Sequence, residues 1–149
     1  MIYTVTEAID KLKKFCAYQE RSQQEVRQKL YLNGVKGEEA EFVITELISE
    51  NFLNEERYAR AYSRGKFRIK HWGRRKIIAG LKSKGVSERC IKEGLKEISS
   101  SEYRQILSKE IKKLHGKYKG KAAEQQLIRN LMGKGFETSL IKELLNEAE

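Results

Sequence analysis

Leu81-Lys82-Ser83-Lys84-Gly85-Val86 is the stretch whose reading decides the fold. A leucine sits near the end of a helical pattern, and four residues later a glycine offers the left-handed backbone on which helices commonly stop. The same arrangement occurs as Leu30-x-x-x-Gly34-Val35 and as Leu131-x-x-x-Gly135-Phe136, with the leucines 51 and 50 residues apart. After Gly85 and Gly135 an isoleucine follows six residues on (Ile91, Ile141) and a leucine ten residues on (Leu95, Leu145). After Gly34 the equivalent apolar positions, Val43 or Ile44 and then Leu47 or Ile48, come three residues late. A fixed period of this length is the mark of stacked units that bury their faces against one another. The spacing predicts three tandem three-helix units, residues 1–52, 53–98 and 99–149, in an elongated, curved, all-α arrangement.

Composition agrees with that reading. The 149 residues include no proline and are rich in Lys, Glu, Leu, Ile and Arg, which suits helices throughout. An apolar content of 39% beside 35% charged residues implies thin helical layers rather than one large core. Cys16 and Cys90 fall on apolar helix faces and read as small buried hydrophobes of a reducing compartment. No apolar run approaches the roughly 20 residues of a membrane span. Met1-Ile-Tyr-Thr-Val-Thr-Glu7 lacks the charged-then-apolar pattern of a secretory signal. A cytoplasmic monomer without membrane contact is expected.

Taken in order, Thr6-Glu7 opens a first helix with Ala8, Leu12 and Phe15 on one face. Ser22-Gln-Gln-Glu25 is a capping box for a second, in which hydroxyl and carboxylate each satisfy an orphan N–H. A third runs from about Gly37 to Glu50 and is expected to bury Phe42, Val43, Leu47 and Ile48. Asn54 caps a fourth, on which Tyr58, Ala61, Tyr62, Gly65 and Ile69 share one face at 100° per residue. Arg57, Arg60, Arg64 and Arg68 form a stripe beside that face, with Phe67 beyond it. His71-Trp72-Gly73 breaks the pattern. A fifth helix starts near Arg74, Ser87 caps a sixth, and Ser99-Ser-Ser-Glu102 reads as a capping box for a seventh. The eighth carries Leu127, Ile128 and Leu131, and the ninth Leu140, Ile141, Leu144 and Leu145.

The positive charge is concentrated. Between Arg57 and Lys92 stand thirteen Lys or Arg residues and one acid, Glu88, a formal +12, whereas the whole chain carries +10. Tyr58, Tyr62, Phe67 and Trp72 are interleaved with these cations. A mixed-sign helix is ordinarily just a solvated face, but a run this one-sided repels itself and fits a polyanion partner. The residues expected to meet that partner are Arg57, Arg60, Arg64, Lys66, Phe67, Arg68, Lys70, Trp72, Arg74, Arg75 and Lys76. Tyr58 and Tyr62 are assigned to the core.

Three passages carry a family resemblance: Arg21-Ser22-x-x-Glu25; Phe52-Leu53-Asn54-Glu-Glu-Arg57-Tyr58-Ala59; and Trp72-Gly73-Arg74-x-x-Ile77-x-x-x-Leu81-x-x-x-Gly85-Val86. Their order and spacing resemble the RecX family of bacterial recombination regulators, over residues 5 to 148. Asn54-Glu55-Glu56 departs from the paired aspartates common there, but Asn still caps a helix. The resemblance implies tandem three-helix repeats that bind the RecA recombinase and its filament on single-stranded DNA. It further implies suppression of strand exchange, ATP hydrolysis and co-protease activity, in homologous recombination, DNA repair and the SOS response. Partners implied are the RecA filament and single-stranded DNA, with double-stranded DNA bound without sequence preference.

No constellation points to catalysis, and no cofactor is expected. His71 and His115 are 44 residues apart without Cys or acid at ligand spacing. Gly116-Lys-Tyr-Lys-Gly120-Lys121-Ala122 fails as a phosphate loop, because three residues separate its glycines and Ala122 stands where a hydroxyl must hold magnesium. The rival reading is a helix-turn-helix transcription regulator. Its recognition helices would here be acidic or near neutral, opening with Glu38-Glu39-Ala40-Glu41 in the first unit and Glu137 in the third, which disfavours entry into a major groove.

If the basic block neutralises phosphates, log affinity for single-stranded DNA falls linearly with log salt, at about −0.7 per contacted phosphate and roughly −3 to −5 in all. A titration across salt concentrations checks this, and a flat response removes DNA from the reading.

Overall fold

The computed structural model describes residues 2–148. Among these the chain is all-helical: α1 (Val5–Tyr18), α2 (Gln23–Leu32), α3 (Glu38–Ser49), α4 (Glu55–Arg68), α5 (Arg74–Ser83), α6 (Glu88–Leu95), α7 (Ser100–His115), α8 (Ala123–Gly133) and α9 (Thr138–Ala148). No helix among the described residues is long and apolar enough to cross a membrane. The helices fall into three tandem groups of three.

The repeated Leu-x-x-x-Gly-apolar stretch is a repeated helix ending. In the first unit Val35 N–H donates to Leu30 C=O at 2.9 Å and Gly34 N–H to Tyr31 C=O at 3.1 Å, with Gly34 at φ 81°. Val86 to Leu81 (3.1 Å) with Gly85 to Lys82 (3.0 Å), and Phe136 to Leu131 (3.1 Å) with Gly135 to Met132 (2.9 Å), repeat the pattern. This is the paired closure of a Schellman cap, which satisfies carbonyls that the helix end would orphan. In each case the leucine and the residue after the glycine are both buried. The α3 end uses the same device with Asn51 at φ 64°: Phe52 N–H reaches Leu47 C=O at 2.9 Å.

Helix starts are capped mostly as expected. Ser22 and Glu25 complete their box at 2.9 and 3.1 Å, and Asn54 accepts from Arg57 N–H at 2.9 Å. The first cap is Thr4 rather than Thr6, since a box needs its hydroxyl three residues before Glu7. Ser99 accepts from Glu102 N–H at 3.1 Å, whereas the Glu102 carboxylate turns to Arg68 at 3.7 Å.

Two apolar clusters form. One belongs to α1–α3 and includes Leu12, Val26, Leu30, Val43 and Leu47. The other is continuous from Tyr58 to Leu145, so α4–α9 share one core. Cys16 and Cys90 are buried and unbridged, and burial pushes the Cys16 thiol up to about 11. Phe42 and Ile48, expected inside, are 52% and 45% exposed. The buried stripe of α3 instead runs through Ala40, Val43, Ile44 and Leu47.

α4 is also turned from its expected face. Tyr58 is buried as expected and Tyr62 packs against the core, but Ala59, Ser63 and Phe67 are buried on the helix too, while Ile69 is 78% exposed. Small side chains explain the turn. A Cβ on Gly94 of α6 would lie 2.7 Å from Ala59 O and 3.0 Å from Ala59 Cβ, so the two helices touch backbone to backbone there.

The second and third units are joined just as closely. α5 begins at Gly73, which has no side chain to cap it. Its first amides donate outward instead: Gly73 N–H to Lys134 C=O at 2.7 Å, Arg74 N–H to Tyr103 Oη at 3.0 Å, and Arg75 N–H to Gly135 C=O at 3.0 Å. A Cβ on Gly73 would lie 2.3 Å from the Gly135 backbone. The joint between first and second units is polar by comparison, with Arg57 on Glu20 at 2.6 Å and Lys84 on Glu25 at 3.6 Å.

Gly73→Ala is therefore expected to cost at least the ~1–3 kcal/mol of overpacking, although its φ of −77° suits alanine. Gly65→Ala, in mid-α4 with open space around it, should gain about 0.5–1 kcal/mol. Paired thermal melts check the contrast, and equal effects would contradict the close approach.

Candidate nucleic-acid interface

The basic block divides into two populations. The arginine stripe of α4 is engaged inside the protein. Arg57 reaches Glu20 and also donates to the carbonyls of Asn51 (3.0 Å) and Phe52 (3.3 Å). Arg60 pairs with Glu93 at 2.9 Å and with Glu56 at 3.5 Å. Arg64 pairs with Glu97 and Arg68 with Glu102. Arg60 and Arg64 are four apart on α4, as are Glu93 on α6 and Glu97 in the turn just after it, so the pairs make a two-rung ladder beside the Ala59–Gly94 contact. Arg89 pairs with Glu56 at 3.1 Å. Arg74 pairs with Glu137 at 3.1 Å, and its guanidinium lies 3.8 Å from the centre of the Tyr103 ring.

The remaining expected cations, Lys66, Lys70, Arg75 and Lys76, have no carboxylate partner among the described residues. Two of them flank Trp72. Lys66 Nζ lies 4.8 Å and Lys76 Nζ 4.5 Å from its ring centre. Tyr62 meets the indole edge-on at 6.4 Å, and Tyr58 follows at 5.8 Å. Trp72 is half-buried, so it both covers the α4–α5 junction and reaches solvent between two ammonium groups, each contact of the cation–π kind. Exposed Ile69 adjoins Lys66 and Lys70 on the same side.

Phe67 is not part of this surface. Expected among the contact residues, it is 1% exposed and stacks on Tyr103 at 5.8 Å, which in turn meets Phe136 at 5.3 Å. It lies one turn beyond Ser63 on the small-residue stripe of α4, and that stripe faces the core.

One polar cluster escaped the sequence reading. His71, at φ 56°, places Nδ1 3.0 Å from Oε1 of Glu110, and Lys134 Nζ reaches the same oxygen at 3.3 Å. Glu110 is only 4% exposed. Burial acts to raise its pKa, but the His71 hydrogen bond and the Lys134 charge outweigh burial and hold it below the ordinary carboxylate range. Nothing in the spacing of residues 71, 110 and 134 announces such a contact.

The fold and its surface define a class: an all-helical tandem-unit protein with internally bonded arginines and a lysine-rich face centred on an aromatic. The comparisons narrow it. The first three-helix domain of RecX matches residues 8–47, and the second matches residues 54–95. Regulatory protein RecX of Prosthecochloris aestuarii is 30% identical over 141 residues, covering 94% of this chain and 92% of that protein. The Thermotoga maritima protein of the same name is 34% identical over 136 residues, covering 89% and 78%. The crystal structure of RecX from Lactobacillus salivarius has the same fold, with a TM-score of 0.84 over 96% of this chain and 95% of that one at 20% identity. The chain belongs to the RecX family.

Phe67→Ala should destabilise by about 3–5 kcal/mol, as for a fully buried aromatic, and leave DNA affinity of the folded protein unchanged. Chemical denaturation with a binding titration checks it. Lost affinity at unchanged stability would return Phe67 to the surface.

Proposed function

We propose that this chain binds the RecA filament on single-stranded DNA and attenuates strand exchange, ATP hydrolysis and co-protease activity, without chemistry of its own. The observation that carries the reading is that Lys66, Lys70, Arg75 and Lys76 have no carboxylate partner among the described residues, with Lys66 and Lys76 flanking Trp72, whereas the α4 arginines and Arg74 are paired within the protein. Membership in a family of regulatory proteins supports a role exercised by binding. In this reading the chain acts as three units, 1–52, 53–98 and 99–149. The middle unit supplies the electrostatic contact, and its neighbours extend it along the filament, so several weak patches add by avidity.

The free cations contact phosphates first. Four such contacts correspond to a salt slope of about −3. Arg57, Arg60, Arg64, Arg68 and Arg74 hold helices in register, and part-exposed pairs of this kind contribute only about 0.2–1 kcal/mol each. An approaching phosphate can therefore recruit them at small cost. Contacts of this type position a protein on a backbone and do not read bases. The transcription-regulator reading needs the opposite. Glu38, Glu39 and Glu41 crowd the first turn of α3, and Glu93 of α6 and Glu97 just after it are committed to arginines.

The chain is expected to slow ATP hydrolysis by a RecA–single-stranded DNA filament. The triple variant Lys66→Ala, Lys70→Ala, Lys76→Ala should need ~10-fold more protein for equal inhibition, about 1.4 kcal/mol. Full inhibition by the triple variant would unseat the Trp72 surface. Selection from random duplex should return no defined site. A palindrome preferred ~10³-fold would establish the repressor instead.

A further inference from the structure

Residues 111–123 contain five lysines, Lys112, Lys113, Lys117, Lys119 and Lys121, together with His115, and no acid. All five lysines are exposed. The ion pairs of the third unit are made elsewhere, by Arg104 with Glu143 and Glu147 and by Lys134 with Glu110. Among the described residues none reaches these five. Lys112 and Lys113 lie in the last turn of α7, where cations complement the helix dipole. That effect fades within one turn, so it gives no reason for Lys117, Lys119 and Lys121. These three alternate along an irregular segment between α7 and α8.

We propose that this segment is a second phosphate-backbone site, binding single-stranded nucleic acid without base preference. Residue type favours phosphates over an acidic protein surface. Wherever this chain grips carboxylates across units it uses mainly the arginine fork, as in Arg57–Glu20, Arg68–Glu102 and Arg74–Glu137. Here it presents only lysines, which act as mobile point charges. Gly116 and Gly120 have open space around them, leaving room for a strand to approach the main chain. The Tyr118 hydroxyl accepts from Asn130 Nδ2 at 3.1 Å and its ring is half-buried. The hydroxyl is thus held by the protein, Lys117 Nζ lies 5.7 Å from the ring centre, and the proposed contact is through the lysines.

Position makes the two sites complementary. Gly135, just past the C-terminal end of α8, packs against Lys76. Lys119 and Lys121 precede the N-terminal end of the same eleven-residue helix. The patches are thus separated by roughly 16 Å along α8 at 1.5 Å per residue. One strand touching both gains avidity. This site rests on its own charge distribution and adds to the proposed function the nucleic-acid contact of the third unit.

The test is the full chain carrying Lys113→Gln, Lys117→Gln, Lys119→Gln and Lys121→Gln, titrated with labelled 40-nucleotide oligo-dT across salt. Affinity should fall ~10-fold or more at low salt, and the salt slope should become shallower by about 2–3, from 0.7 per phosphate. The same four positions changed to Arg should keep both. Lys119→Gln with Lys121→Gln alone, outside any helix, should reduce the slope by about half as much, which guards against misfolding of the larger variant. Unchanged affinity and slope in both Gln chains overturn the proposal. So does loss of polyglutamate binding with oligo-dT binding intact, which would assign the segment to an acidic protein. If the Gln chains weaken binding while Lys66→Ala, Lys70→Ala, Lys76→Ala does not, the Trp72 reading falls and this one stands. The converse pattern sinks this one alone.

Discussion

Each unit depends on one backbone event, the closure of its middle helix by a residue in the left-handed region. The paired hydrogen bonds, one of them back onto Leu30, Leu81 or Leu131 and the other onto the residue after it, fix where the next helix leaves. They also drive the leucine and the residue after the glycine into the same core. A β-carbon at such a φ costs roughly 1–2 kcal/mol, and for this reason the position is glycine three times. Asn51 meets the same need at the end of α3 with a residue that tolerates the conformation. The outer two glycine closures also serve as docking points. Tyr3 N–H donates to Asn33 C=O at 2.9 Å, as Gly73 N–H does to Lys134 C=O. The helix endings thus build the units and join them to what precedes.

The division of labour between arginine and lysine follows from geometry. A planar fork can satisfy two acceptors at once, and Arg57, Arg60 and Arg104 each do so. Such pairs neutralise local charge without removing the net +10 of the chain, so a long-range positive field persists. Of the expected contact residues, three lysines, Lys66, Lys70 and Lys76, and one arginine, Arg75, are left without a carboxylate partner among the described residues.

Much of the architecture was legible because it rests on periodicity and caps. The glycine period gave the units, and Ser22, Asn54, Ser87 and Ser99 gave helix starts. The face of α4 was not legible. Tyr58, Tyr62 and Ile69 draw attention to one side, but Ala59 and Ser63 decide the packing by letting α6 come close. An apolar-stripe reading weighs bulk and overlooks such small residues, and Phe67 was misplaced with them. Phe42 was misjudged for the same reason, since Ala40 marks the buried side of α3. The surface was half legible. The charge density was plain, but Glu93, Glu97, Glu102 and Glu137 lie far along the chain from the arginines they engage. No local pattern shows which cations remain free.

The outward donation by the first turn of α5 reaches beyond packing. Opening amides of a helix ordinarily lack an acceptor and are the first to trade their protons with solvent. Here the amides of Gly73, Arg74 and Arg75 end on Lys134 C=O, Tyr103 Oη and Gly135 C=O. Their isotope exchange is thereby tied to the parting of two units rather than to fraying of one helix. Three backbone protons beside Trp72 become reporters of whether the basic surface and the third unit are moving as one body.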